Sequence, residues 1–147
     1  DPKSDIHGAP HWARVAKNGR TLAKALGVNP DITEWFAYLH DSQRHNDDRD
    51  PDHGRRAAVY AKGLRESGHL LELARDEFNH LTYALEYHSF GFSGDHSGAV
   101  MACWDADRLD LPRVWVQPDP DRMCTEPGRH LAKRLPKIIY KRSVTRR

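Results

Sequence analysis

The sequence predicts an all-α protein with about five core helices and a basic C-terminal extension, on three observations. Apolar residues recur three and four apart in five stretches, which is the period of one helix face. Alternating strand patterns are scarce. Gly, Pro, Asn and Asp stand at the ends of the apolar stretches, where helices start and stop. At 147 residues the chain fits one domain, large enough to bury roughly 70% of its unfolded surface.

The first helix is expected over about 11–26, with Trp12, Val15, Gly19, Leu22 and Leu26 on one face and Gly27 as its stop. Asn29-Pro30-Asp31 reads as a cap, a first-position proline and a first-turn acid. They open a second helix over about 30–44 that turns Ile32, Trp35, Phe36 and Leu39 inward. Residues 46–52 are too polar for a core and form a loop. Asp50-Pro51 then opens a third helix through Ala57, Ala58, Ala61 and Leu64 to Gly68. A fourth, with a break near Asp76, ends on Phe78, Leu81, Leu85 and His88. Gly91, Ser93 and Gly94 mark a loop, and a fifth helix over roughly 96–110 aligns Val100, Trp104, Asp107 and Leu111. Four prolines make 112–128 mostly irregular, and a short helix is expected at 128–135, before Pro136. The helical body is thus 1–111, with 112–147 packed on it or trailing from it.

Composition narrows the classes. A 38% hydrophobic and 30% charged chain is an ordinary globule, not a disordered one. No apolar run approaches the ~20 residues of a membrane span, and no stretch reads as a signal peptide. Cys103 and Cys124 form no CxxC pair, so a reducing cytoplasm is the expected location. From Arg129 onward there are eight Lys or Arg and no acid, leaving 15 basic against 21 acidic residues in 1–128, a formal charge of −6. Such a tail docks on its own acidic body, stays solvated, or meets nucleic acid or another polyanion. No GxxxxGK[ST], GxGxxG or GxSxG occurs, which argues against a P-loop, a dinucleotide fold and a serine hydrolase.

The residues with chemistry are imidazoles and carboxylates at recognisable points of these helices. His88 and Asp107 each continue an apolar stripe toward the core. A buried ionised Asp is costly unless it is paired or ligates a metal. For Asp107 the competing reading is a partner for Arg14 or Arg44, and for His88 a satisfied core histidine. Asp105 falls nearly opposite the Val100–Trp104 direction, which makes Asp107 the better donor. His11 opens the first helix. His40 extends the Phe36–Leu39 edge, with Asp41 about 100° around from it. His53 lies in the first turn of its helix beside Gly54, whose missing side chain lets another backbone or a ligand come close. His7, four residues before His11, can ligate or contact substrate. His45, His69, His80 and His96 are expected in solvent, and the charged loop Asn46-Asp47-Asp48-Arg49 serves substrate recognition or is a solvated connection.

The order His11, His40-Asp41, Asp107 resembles the metal-binding motif of the HD-domain superfamily of metal-dependent phosphohydrolases. His11-Trp-Ala-Arg-Val15 is similar to that superfamily's first-helix pattern, and Asp-Ala-Asp-Arg-Leu at 105–109 to its last-ligand segment. His53 and His88 match the extra histidines of members that hold a second metal. The resemblance covers roughly 7–111 and implies an HD-domain-like bundle. It implies that His11, His40, Asp41 and Asp107 hold one ion, and that His53 and His88, with Asp41 bridging, hold a second. One or two divalent ions are expected, from Mn, Fe, Ni, Co or Zn. Paired ions of this kind lie ~3.5–4 Å apart and clamp the attacking and leaving oxygens of a phosphoryl displacement, with an activated water as nucleophile. Asp41 and Arg44 are then the catalytic residues, and Arg14, Lys17, Arg44 and Arg108 the cations that balance phosphate charge.

The expected activity is hydrolysis of a phosphate ester, a nucleotide or another small phosphomonoester or diester. Two rivals share the same residues. The ligand pattern also resembles the di-iron oxygenases of the superfamily, of the inositol oxygenase type. Alternatively, the helical body is a metal-containing binding module whose basic tail engages nucleic acid.

Overall fold

The computed structural model describes residues 1–139. Among them are six α-helices and no strand: α1 (Ala9–Leu26), α2 (Pro30–Leu39), α3 (His53–Glu66), α4 (Arg75–Tyr87), α5 (Gly98–Arg108) and α6 (Glu126–Arg134). Short 3-10 turns follow α4 and α5 and precede α6. None of the described helices is long and apolar enough to cross a membrane. Residues 140–147, which hold half of the basic tail, lie outside the described residues, and the nucleic-acid reading of that tail falls largely on them.

The caps follow from the residues at the ends. Gly27 takes the left-handed conformation (φ 68°), and its N–H closes α1 on the carbonyl of Ala23. Asn29, Ser97 and Thr125 each accept an exposed first-turn N–H, from Asp31, Val100 and Gly128. Four boundaries differ from the sequence expectation. α2 ends at Leu39 rather than near 44, because the Ser42 amide and hydroxyl both take the Leu39 carbonyl and tighten the chain into a turn. α3 starts at His53, not Pro51, because the Asp50 carboxylate turns away to Arg56 and to the amide of His45. α4 begins only at Arg75: the preceding segment packs Leu70 and Leu73 inward and hangs both carbonyls on Arg65. The last helix starts at Glu126, two residues early, behind its Thr125 cap.

α1 packs on α2 and α5, α3 on α4, and α2, α4 and α5 meet in the middle. Val15, Leu22, Phe36, Leu81, Leu85 and Trp104 fill the core. Gly19 lets α1 approach α2, since a Cβ there would stand 2.8 Å from that of Thr33. Trp35, expected inside, lies at the edge and donates its indole N–H to Glu72. His96, expected in solvent, is edge-on to Trp104. The C-terminal segment is tied to the body through Asp105. Its carboxylate is fully buried and accepts from the amides of Cys124 and Thr125 and from the Thr125 hydroxyl at 2.7–2.9 Å.

Candidate metal centre

Five elements deliver one set of donors. His11 stands in the first turn of α1, His40 and Asp41 in the turn that closes α2, and His53 at the head of α3. His88 follows the last residue of α4, and Asp107 lies in the last turn of α5. Their side chains form two triads, His11–His40–Asp107 and Asp41–His53–His88, within each of which the donor atoms lie within 4.8 Å of one another. Asp41 joins them. Its Oδ2 is 3.6 and 3.4 Å from Nε2 of His11 and His40, while its Oδ1 is 3.3 and 3.7 Å from Nε2 of His53 and His88.

The surroundings fix which nitrogen each ring presents. Nδ1 of His11 donates to Asp110 at 2.7 Å, of His40 to the carbonyls of Phe36 and Ala37, of His53 to that of Asp50, and of His88 to that of Leu85. With Nδ1 carrying the proton, Nε2 offers a lone pair. All four Nε2 atoms point into the centre, where those of His11 and His40 are 3.0 Å apart and those of His53 and His88 are 2.8 Å apart. Two lone pairs that close repel unless a proton or a metal cation lies between them. Four buried imidazoles and two carboxylates, pre-oriented, suit borderline divalent ions. The residues present therefore fit the group.

The electrostatics keep the acids of the cluster charged. Burial opposes the carboxylate form of Asp41, but His40, His53, His7 and His88 hold it far below the usual range. Burial likewise works against ionised Asp107 and Asp110, and the histidines beside them, with Arg14 for Asp110, keep both low. Burial depresses His40 to about 4 despite Asp41 and Asp107. For His11 and His88 burial is outweighed by the neighbouring carboxylates, Asp107 and Asp110 for the first and Asp41 for the second, and both are raised.

Two further residues attach to the six donors. Asp110 orients His11 and accepts from Nε of Arg14 at 2.7 Å; its place one turn after Asp107 was the available signal. His7, only a secondary candidate, donates through Nδ1 to Oδ2 of Asp41 at 2.8 Å. Of the expected cations, Arg44 lies beside Asp41 and His53, and Arg14 is held by Asp110. Lys17 is exposed and without a side-chain partner among the described residues. The expectation for Arg108 is corrected: its guanidinium turns to the carbonyls of Phe92 and Arg122 and to Sγ of Cys124, so it fastens the C-terminal segment. Two cavities flank Arg44. One of about 150 Å³ is bordered by His7, His45 and Asp47, and one of about 230 Å³ includes the donor His53. Larger cavities of about 300 and 390 Å³ touch none of the donors.

A scan against protein-family models finds no match for the sequence, and a search of curated proteins finds none either. Among solved structures, the chain is similar to the crystal structure of a predicted HD superfamily hydrolase from an uncultured Thermotogales bacterium. The TM-score is 0.70 at 24% identity, over 90% of this chain and 75% of that one. The chain thus shares the all-α fold of that predicted hydrolase, with the His/Asp triads gathered between its helices.

Proposed function

We propose that the protein is a metal-dependent phosphohydrolase that cleaves a small phosphate ester, with water adding at phosphorus and the ester oxygen leaving as an alcohol. The observation that carries the reading is the pair of donor triads sharing Asp41. His11, His40 and Asp107 would hold one divalent ion and His53 and His88 a second, with Asp41 common to both. Bound there, such ions supply Lewis acidity toward phosphoryl oxygens and acidify water enough for it to attack at neutral pH.

The chain's own groups prepare that chemistry. Backbone carbonyls and Asp110 lock the imidazole planes, so no reorientation is needed when substrate arrives. Arg44 donates to the carbonyls of Asn46 and Asp48 at 3.1 and 2.6 Å and keeps Nη1 against His53 and Asp41. It therefore acts as a fixed positive charge rather than a mobile clamp. Arg14 uses Nε on Asp110, and its Nη groups have no partner among the described residues, so they are free to meet a phosphate oxygen.

Metal analysis of protein purified without chelator, together with His40→Ala and Asp107→Ala, tests this. We expect one to two equivalents of divalent metal in the wild type, and in both variants a loss of metal and at least a hundredfold loss of phosphatase activity, on the order of one removed ligand. A wild type without metal, and unchanged turnover in both variants, would exclude the mechanism. Bound iron with dioxygen-dependent turnover and no hydrolysis under anaerobic conditions would assign the centre to oxygenase chemistry instead.

A further inference from the structure

We propose that the 230 Å³ cavity beside His53 selects a phosphomonoester whose leaving group carries a planar aromatic ring, with Phe90 as the stacking surface and Arg49 as the anion contact. The inference rests on the phosphohydrolase reading for where the phosphoryl group sits, and adds what the substrate's organic part must be. The wall of this cavity includes His53, one of the six side chains of the centre, so a group bound in it lies next to the imidazole–carboxylate cluster.

Its lining combines two chemistries. Arg49 is exposed and its guanidinium has no partner among the described residues. Arg44 beside it is already engaged by loop carbonyls. The single carboxylate on the wall, Asp50, is taken by Arg56 and the His45 amide, so it does not repel an anion as a free acid would. Phe90, also in the lining, is 55% exposed and stands two residues beyond the donor His88. It is held in place by Tyr87 and Phe92, at ring distances of 5.6 and 5.8 Å, and by the left-handed turn of Gly91 (φ 71°) that ends its 3-10 segment. An exposed but supported aromatic face and an unpaired guanidinium in the lining of one cavity match a flat ring joined to an anion. The neighbouring cavity at His7 offers neither, being bordered by Asp1 and Asp47. The volume, about 230 Å³, is below the ~300 Å³ at which pockets for larger ligands begin, which suits one ring and one phosphate.

The test is calorimetric titration of the Zn²⁺-loaded full chain with phenylphosphonate and with methylphosphonate, whose P–C bonds are not hydrolysed. We expect phenylphosphonate to bind about tenfold tighter, the scale of one aromatic stacking contact. Phe90→Ala and Phe90→Leu should both abolish that preference, the leucine showing that the ring matters and not the bulk. Arg49→Met should weaken both ligands roughly tenfold and equally. Equal wild-type binding of the two, binding of neither, or a preference that survives in Phe90→Leu would each overturn the proposal. Failure of the hydrolase reading is detected separately, as absence of turnover of phenyl phosphate and glycerol phosphate by the same protein.

Discussion

At the scale of single residues, Asp110 makes a sharp prediction. Its carboxylate meets one of the six donors, His11, whose ring it orients through Nδ1, and also holds Arg14. Asp110→Asn keeps the shape but weakens the acceptor and frees Arg14. Affinity for metal should fall roughly 10- to 100-fold, the usual effect of losing such an outer partner, with unchanged circular dichroism; a competition titration against a chromophoric chelator measures it. The convergence of the six His and Asp side chains was legible from residue type and order, since imidazoles and an acid on otherwise apolar stripes turn toward a common interior. Asp110 was not, because an acid at a helix end looks like surface charge until α1 is packed against α5. Arg108 was misassigned for the complementary reason: its neighbour Asp107 faces the centre, but one residue further round the helix the guanidinium meets the C-terminal segment.

At the scale of elements, the contact between α3 and α4 positions half the centre. His53 and His88 come from these two helices, and Gly54 is what lets them approach: a Cβ there would stand 2.6 and 2.8 Å from the carbonyls of Leu85 and Glu86. The open side beside Gly54 is therefore taken by backbone. Gly54→Ala should push the helices apart, destabilising the protein by about 1–3 kcal/mol as overpacking does and loosening the His53–His88 pair more than the His11–His40 pair. Urea unfolding and metal stoichiometry together would show both effects, and an unchanged midpoint with full metal would contradict them. Helix identity and order were readable from periodicity. Boundaries were missed where a side chain outbid the expected cap, as Ser42 does on the Leu39 carbonyl and Arg56 on Asp50. Periodicity carries no record of such competitions.

At the scale of the whole molecule, metal, protons and stability are linked. His11 and His88 have raised pKa values in the metal-free protein, so metal must displace protons held more tightly than by an ordinary imidazole. Apparent affinity should therefore begin to fall as pH drops while still above ~6.5. His40, depressed to about 4, contributes no competing proton over that range. Calorimetry in buffers of different ionisation enthalpy measures the released protons; uptake independent of pH between 6 and 8 would contradict the assignment. Because the donors come from five elements, metal also braces the fold: at a hundredfold excess over its dissociation constant it should add about 2.7 kcal/mol to unfolding. Thermal melts with and without chelator test that.

The shared carboxylate of Asp41 has one more consequence. With one oxygen turned to each triad, a single negative charge would serve both cations of a two-metal centre, and the first to arrive would neutralise what attracts the second. On the proposed reading the two occupancies would therefore be anticooperative. A titration should resolve a tight step and a weaker one, and preparations from metal-poor medium should settle near one equivalent rather than scatter between zero and two.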